Sequence, residues 1–462
     1  VYWEDGAQFT PPHDKGVTEE VMAITDLSTV KTMGAQEAKA KGLYEIIGAA
    51  IDDKYIAQVK AQVVNQGAID RMQDQITIVY TPLHGTGNIP ARRVMKELGF
   101  THVYVVPQQE LPDGDFPTVS YPNPEAKEAF ELGLALAKEK NADLVLATDP
   151  DADRLGVYVK DTKSGEYIPL TGNMSGSLLC EYVLSQKQAS GKIPADGQVV
   201  KSIVTTNLVD AVAKNYGAEL IEVLTGFKWI GKQVLKNEQE GKGTYLFGME
   251  ESYGCLIGTY ARDKDAISAT AALCEAAAYY KEKGMTLWDA MVEMYEKYGY
   301  YKDEVKSIGL KGIEGLAKIQ EIMEYFRAHT PSDFAGHKVL AVRDYKADTV
   351  KDLATGGAEN FSFHSLQHRV LKSAKRGRQL FFWLHLPTTG DFVILPNGQQ
   401  KKQQIFFRLT ASACRRWRLV FNFESSGQVS SRNSALLNEV VRNSDFCCVH
   451  FLITKELHQS FY

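Results

Sequence analysis

The sequence predicts an α/β protein of successive similar α/β domains with mixed, largely parallel sheets, followed by a degraded C-terminal α+β domain. Three observations lead to this prediction. From Ile76 onward, short apolar runs alternate with helical patterns, and the same alternation starts again after Thr171. Such strand–helix–strand alternation is typical of parallel sheets. A run of acidic residues begins at Asp149, directly after an apolar run that is typical of a strand. In parallel sheets, ligand-binding loops follow the carboxyl ends of the strands.

Composition limits the classes of protein that fit. The chain has 462 residues, which predicts several domains, and its net charge of −5 argues against a nucleic-acid partner. No apolar run approaches the length of a membrane span, so we expect no membrane association. The six cysteines show no zinc-type spacing and fit reduced thiols. Without a signal peptide, the expected localisation is cytoplasmic.

The first α/β unit is predicted from local periodicity and from helix-start signals. Residues 14–70 are expected to be largely helical because they are rich in Ala and charged residues with few turn signals. Asn123 is predicted to cap a helix with Pro124 at its first position. The other elements predicted here are strands at 76–80, 103–106 and 144–146, and a helix at 89–99.

The second unit repeats this pattern, and Asp265 is placed to cap an Ala-rich helix. The elements predicted are helices at 173–188, 207–216, 266–283 and 286–298, a helix opened by 225–230, and strands at 199–204, 220–223, 244–247 and 255–260. Beyond residue 302 the predicted elements are a helix at 313–328, strands at 338–342 and 381–384, and a turn at 395–398.

Three carboxylates, Asp149, Asp151 and Asp153, recur at every second residue after the strand at 144–146. Period-two spacing in an extended loop puts alternate side chains on one side, where like charges need a cation between them. A hard divalent cation, with Arg154 nearby, is therefore predicted, and an acidic surface turn is the alternative. An EF-hand is excluded because its sixth position is Arg154 and its twelfth is Lys160.

The stretch from Gly226 to Lys232 matches GxxxxGK, but Gln233 replaces the hydroxyl residue that a P-loop requires. The large residues inside the loop also oppose that interpretation. What remains is a helix N-terminus with Lys228 beside it, which suits an anionic ligand.

Polar residues also follow two later strands. Glu250 and Ser252 lie two residues apart after a strand and could bind sugar hydroxyls, or could be ordinary turn residues. Arg262 and Lys264 follow the next strand and add two cations. Together with a metal loop, these residues suggest a phosphorylated, hydroxyl-rich substrate.

These stretches together resemble the α-D-phosphohexomutases. The run 149–154 is similar to the metal loop of that family, 248–254 to its sugar-recognition loop and 225–230 to its specificity loop. Residues 1–8 look like the strand that follows the family's phosphoserine loop. The resemblance extends from residue 1 to about residue 398, and the second and third loops look most like the phosphoglucomutase branch.

The resemblance implies four domains around one cleft. It implies that a phosphoserine exchanges a phosphoryl group with glucose 1-phosphate or glucose 6-phosphate through a hexose bisphosphate, with Mg²⁺ as cofactor. The implied metal ligands are Asp149, Asp151 and Asp153, the implied substrate-binding residues are Arg154, Gly226, Lys228, Glu250 and Ser252, and the implied catalytic residues are Arg262 and Lys264. The expected domains are a remnant of the first with a linker (1–45), the second with the metal loop (46–168), the third with the sugar-recognition loops (169–300), a partial fourth (301–398) and an aberrant tail (399–462).

Two departures from the family pattern accompany these matches. No serine here can be matched to the phosphoryl donor, so we expect a fragment that is inactive or nearly so. After Gly398, residues 399–404 replace the family's phosphate-binding loop, and this second departure supports the same expectation of inactivity. Residues 401–462 carry nine Lys or Arg against four Asp or Glu, and a shifted reading frame explains this better than a basic nucleic-acid-binding arm. The alternative functions are a phosphomannomutase, a phosphopentomutase, or a non-catalytic protein that binds sugar phosphate or Mg²⁺.

Overall fold

The computed structural model describes the backbone of residues 2–310, 312–334, 337–347, 349–353 and 356–360, and that of the strands within 380–385, 392–396, 403–411, 420–421 and 452–453. The chain divides into two compact units, Val1–Gly299 and Tyr300–Tyr462, and each is described by itself. Among the helices of the described parts, none is both long enough and apolar enough to cross a membrane.

The first unit begins with short helices, as predicted for residues 14–70. They are α1 (His13–Ala23), α2 (Ala35–Ala40), α3 (Gly48–Lys60) and α4 (Gln66–Met72). The first two contain no buried residue, whereas α3 and α4 bury apolar side chains such as Ile56 and Ile69. Among these helices, burial of apolar side chains therefore starts at α3, although Ala7 before them is also buried.

A first α/β lobe follows. Its elements are β1 (Thr77–Thr81), α5 (Asn88–Leu98), β2 (His102–Val105), α6 (Glu131–Lys140), β3 (Leu144–Thr148), β4 (Leu155–Lys160) and β5 (Tyr167–Leu170). The sheet order is β2-β1-β3-β4-β5, in which the first three strands are parallel and the last two pair antiparallel. The mixed, mostly parallel sheet agrees with the predicted fold class, although β4 and β5 were not foreseen.

The helix predicted to begin at Asn123 is wrong. The Asn123 carboxamide accepts a hydrogen bond from Glu125 N at 2.8 Å, which closes a local turn rather than starting a helix. Ala126 is extended, with φ −83° and ψ 127°, so helical structure cannot propagate through it. The α-helix α6 begins only at Glu131.

A second α/β lobe repeats this arrangement. Its elements are α7 (Gly172–Ala189), β6 (Gly197–Ser202), α8 (Leu208–Asn215), β7 (Glu219–Val223), α9 (Phe227–Glu240), β8 (Thr244–Met249), β9 (Cys255–Leu256), α10 (Ala266–Glu282) and α11 (Leu287–Tyr298). The sheet order is β7-β6-β8-β9, with β9 antiparallel to β8. The strand predicted at 255–260 ends at Leu256, and Gly258 then turns the chain with φ +81°.

Helix α10 joins the two lobes. Small, buried residues line much of it, so α3, α4 and α5 of the first lobe pack closely against it. Its Glu275 Oε1 accepts hydrogen bonds from the backbone N–H groups of Val64 and Asn65, which precede α4. Lys281 Nζ lies 2.6 Å from Asp143 Oδ1 on the other lobe. This contact ties the last turn of α10 to the amino end of β3.

The second unit is a sheet with one helix among its described residues. Its elements are β10 (Lys302–Leu310), α12 (Gly312–Ala328), β11 (Asp333–Phe334), β12 (His337–Asp344), β13 (Thr349–Asp352), β14 (Ala358–Asn360), β15 (Leu380–His385), β16 (Phe392–Pro396), β17 (Gln403–Ala411), β18 (Val420–Phe421) and β19 (Leu452–Ile453). The main sheet runs β10-β17-β15-β16-β12-β13-β14.

The helix near 313–328 and the strands near 338–342 and 381–384 are confirmed. Of the predicted turn at 395–398, the first two residues belong to β16 and the last two lie outside the described residues. Of the tail at 399–462, the structure describes only β17, β18 and β19.

Candidate functional site

The acidic loop after β3 brings its three carboxylates together, as predicted, but it does so as a turn, closed by Ala152 N donating to Asp149 O at 3.0 Å, and not as an extended loop. One oxygen from each of Asp149, Asp151 and Asp153 lies within 4.8 Å of the others. Asp149 is 3 % exposed, Asp153 is half-buried and Asp151 faces solvent. A hard cation bound there would be shielded on one side and open to a ligand on the other.

Asp149 has one oxygen that is hydrogen-bonded and one that is not. Its Oδ1 accepts from the backbone N–H groups of Asp153 at 3.1 Å and Arg154 at 2.9 Å. Its buried Oδ2 lies 2.9 Å from Arg154 Nε, an ion-pair distance, but in a geometry that makes no hydrogen bond. A buried carboxylate oxygen without a hydrogen bond is suited to coordinate a metal ion.

The pKa of Asp149 reflects this environment. The pKa is raised to about 7, chiefly by burial; the carboxylates of Asp153 and Asp151 contribute to the rise, and the Arg154 backbone N–H and guanidinium oppose it. Clustered carboxylates of this kind bind a divalent cation because it removes their mutual repulsion.

The shape of the acidic loop depends on glycines in the loop after β1. A Cβ at Gly85 would lie 2.4 Å from Pro150 Cα, and one at Gly87 would lie 2.6 Å from Thr148 Oγ1. Thr86 N donates to Pro150 O at 2.8 Å. Sequence reasoning did not include these residues in the site. The signal that could have identified them is a GxG pattern just beyond a strand end, which permits close backbone approach.

The loop after β8 adds a buried carboxylate. Glu250 is 6 % exposed, and its Oε1 accepts a hydrogen bond from Gly226 N at 2.7 Å. Two residues that were predicted separately therefore lie together. Burial raises the pKa of Glu250 to about 7, with Glu251 adding to the rise and Lys264 opposing it. Ser252 lies half-buried two residues along the same loop.

Lys264 connects the loops of the two lobes. Its Nζ lies 3.0 Å from Asp153 Oδ2 and 3.1 Å from Asp263 Oδ1. Burial acts to lower the pKa of Lys264, but Asp263, Asp153 and Glu250 outweigh it and raise the pKa. Backbone contacts reinforce the junction, because Leu155 N donates to the carbonyl of Tyr253 at 3.0 Å.

The other predicted basic residues lie against different partners. Arg262 Nη2 is 2.6 and 2.7 Å from the two carboxylate oxygens of Glu238 on α9. Lys228 Nζ lies 3.7 Å from Asp14 Oδ2 and 5.6 Å from the ring centroid of Trp229. Lys264 is thus the predicted cation that contacts the acidic loop from the second lobe.

Arg154 also contacts the acidic loop, but from within it. Its Nε lies beside Asp149, and its Nη1 is 3.9 Å from Glu125 Oε1.

Taken together, the site offers three clustered carboxylates, a buried glutamate and an ammonium group. Such a set can bind a divalent cation next to a ligand that carries both hydroxyl and anionic groups.

Comparison with known protein families gives matches over both lobes. Residues 53–165 match the model of phosphoglucomutase/phosphomannomutase, alpha/beta/alpha domain II. Residues 171–298 match the model of alpha/beta/alpha domain III of the same family.

Similar proteins carry related names. A phosphoglucomutase of Staphylococcus haemolyticus is 34% identical over 429 residues, which cover 93% of this chain and 72% of the relative. A phosphoglucomutase of Staphylococcus saprophyticus is 29% identical over 409 residues, covering 88% of this chain and 70% of the relative. A probable phosphomannomutase of Haemophilus influenzae is 34% identical over 357 residues, covering 77% and 67%.

Solved structures show weaker similarity. The open form of parafusin, a phosphoglucomutase from Paramecium, is 18% identical with a TM-score of 0.46, covering 76% of this chain and 58% of that one. The N-acetylphosphoglucosamine mutase of Aspergillus fumigatus, solved with GlcNAc-6P and magnesium, is 13% identical with a TM-score of 0.38, covering 73% and 61%.

Proposed function

The chain belongs to the phosphoglucomutase/phosphomannomutase family, and on that premise we propose that it binds Mg²⁺ and a hexose phosphate where its two lobes meet. The family's enzymes are intramolecular phosphotransferases, and we assign this chain the glucose phosphate branch. The observation that carries the proposal is the buried Asp149 Oδ2, which has no hydrogen bond and lies within a cluster of three carboxylates.

The donor set fits the proposed metal. Asp149, Asp151 and Asp153 offer only carboxylate oxygens, which suit hard cations such as Mg²⁺ rather than zinc or copper. When bound, the ion would supply positive charge that stabilises a phosphoryl group during transfer.

The residues of the second lobe support sugar binding. Glu250 Oε1 is already held by Gly226 N, so the other carboxylate oxygen is oriented to accept from a sugar hydroxyl. Ser252, on the same loop, can donate to or accept from a neighbouring hydroxyl. The two side chains thus form the sugar-recognition pair of the proposal.

The cations of the site would bind phosphate. Lys264 can exchange its contact with Asp153 for a phosphate oxygen, or move a proton there. Lys228 stands beside the N-terminus of α9, where an anion is favoured. Arg154 would contribute from the acidic loop, and Arg262 would have to leave Glu238 first. Arg262 therefore has the weakest structural support among these assignments.

Mannose phosphate is the second candidate substrate, because one relative of equal identity is named a probable phosphomannomutase.

Turnover by this chain alone is a separate matter. The expectation that it turns over slowly or not at all stays a prediction, and a coupled assay from glucose 1-phosphate with the hexose bisphosphate supplied tests it. A clear rate with the purified chain would contradict that expectation.

Calorimetric titration of the full chain tests the binding proposal. We expect MnCl₂, used as a probe for Mg²⁺, to bind at one site, and glucose 1-phosphate to bind more tightly than mannose 1-phosphate. Asp151→Asn should weaken Mn²⁺ by about tenfold or more, since it removes one charged ligand of three. Glu250→Gln should weaken the sugar phosphate and leave Mn²⁺ binding intact. The assignment would be refuted if Asp151→Asn bound Mn²⁺ as tightly as wild type and Glu250→Gln bound the sugar phosphate as tightly as wild type.

A further inference from the structure

The acidic loop contains a strained residue that the second lobe holds in place. Ala152, between two of the clustered carboxylates, has φ +58°, a left-handed conformation that is unfavourable for an L-residue with a Cβ. Its carbonyl accepts a hydrogen bond from Ala266 N at 3.1 Å. Because Ala152 lies between Asp151 and Asp153, its conformation decides whether those side chains converge. The bond from Ala266 therefore bears directly on the cluster.

Asp265 decides where the Ala266 N–H points. Ala266 is the first residue of α10, and Asp265 caps that helix, accepting from Ile267 N at 2.8 Å and Ser268 N at 3.2 Å. The Asp265 carboxylate is 5 % exposed. A buried cap of this kind fixes the direction of the first helical turn.

Two tyrosine hydroxyls in turn hold Asp265. Tyr55 donates to Asp265 Oδ1 at 2.8 Å, and Tyr260 donates to Oδ2. Tyr260 belongs to the second lobe, whereas Tyr55 lies on α3, which packs against α5 of the first lobe. The N-terminus of α10 is thus held from the first lobe at two points, by Tyr55 through the Asp265 side chain and by Ala152 through the Ala266 N–H.

We propose that Tyr55 is a positioning residue for the metal loop: through Asp265 and the N–H of Ala266, it keeps Ala152 in the left-handed conformation that brings the carboxylates together around a hard divalent cation. The inference rests on the metal binding proposed above. Tyr55 does not touch a metal ligand; it acts through a bond between residues 210 positions apart.

The test is titration of the full chain with MnCl₂. Tyr55→Phe removes only the hydroxyl, and we expect Mn²⁺ to bind about three- to tenfold more weakly, since a hydrogen bond to a charged group is lost. The matched control is Tyr182→Phe. Tyr182 OH donates to Glu275 Oε1 at 3.0 Å, another carboxylate of α10, away from Asp265. This control should lose stability and keep wild-type Mn²⁺ affinity.

A second variant provides a rescue. Glycine has no Cβ and adopts positive φ freely, so adding Ala152→Gly to Tyr55→Phe should restore Mn²⁺ affinity to within about twofold of wild type. If Tyr55 had a purely structural role, relieving strain at Ala152 would not restore Mn²⁺ affinity. If Tyr55→Phe does not fold, Tyr260→Phe removes the other hydroxyl from Asp265 and should weaken Mn²⁺ in the same direction.

Each outcome decides the matter. Unchanged Mn²⁺ affinity in a folded Tyr55→Phe variant would overturn the inference and leave the metal site standing. Equal losses in Tyr55→Phe and Tyr182→Phe, without rescue by glycine, would also overturn it, because they would show a general loosening of the packing around α10. Failure of the wild-type chain to bind Mn²⁺ would overturn the inference and the metal part of the proposed function together.

Discussion

Glu275→Gln should change how the stability of the first unit depends on pH. Glu275 is fully buried on α10, and its Oε1 accepts from Val64 N, Asn65 N and Tyr182 OH. Its Oε2 is buried without a hydrogen bond. Burial raises the pKa of Glu275 to about 7 from 4.5, against the opposing effect of these hydrogen bonds. The folded protein therefore favours the protonated acid, which glutamine imitates.

The sign and size of the effect follow from linkage. Because the folded pKa lies above the unfolded one, the unfolded chain releases this proton first as pH rises. The free energy of unfolding should therefore fall between pH 4.5 and about pH 7 and level off above. A shift from 4.5 to about 7 corresponds to roughly 3 kcal/mol at 1.36 kcal/mol per pKa unit. Relative to Glu275→Gln, the wild-type chain should lose about that much stability across this range.

Urea unfolding at pH 5, 6, 7 and 8, followed by circular dichroism, measures the difference. Glu282→Gln on the same helix is the control, since Glu282 is exposed and its pKa is lowered, chiefly by its hydrogen bond with Arg71. That lowered pKa places its own contribution below pH 5. Parallel pH profiles for wild type and Glu275→Gln would refute the reasoning.

Two further substitutions test the acidic loop itself. Gly85→Ala should destabilise the first unit by about 1–3 kcal/mol, because the added Cβ would lie 2.4 Å from Pro150 Cα. Thermal unfolding measures this loss. The control Gly114→Ala should show no such loss, because a Cβ at Gly114 meets nothing within 4 Å. Lys264→Met removes the ammonium 3.0 Å from Asp153, so calorimetry should show Mn²⁺ binding about three- to tenfold more tightly and glucose 1-phosphate more weakly. Weaker Mn²⁺ binding in that variant would contradict the role assigned to the lysine.

Local patterns predicted much of the fold. The Asp265 cap was correct because a helix cap involves groups only two or three residues apart. The clustering of the three carboxylates was also predicted correctly, but the loop is a turn with Ala152 at φ +58° and not the extended segment that the period-two argument assumed. Local signals failed where the same sequence pattern is compatible with two different structures. The Asn–Pro pair at 123–124 starts helices and also closes turns, and here it closes a turn.

Contacts between distant residues could not be predicted in this way. Nothing in the sequence near Arg262 indicates that Glu238 would hold it, and nothing near Tyr55 indicates its bond to Asp265. The sequence by itself determined which residues carry the charges and that the acidic loop follows a strand. The tertiary structure decided which oxygen of Asp149 is left without a hydrogen bond and which lysine faces the loop. Which lysine faces the loop depends on how the two lobes pack, and packing brings together groups that no local pattern relates.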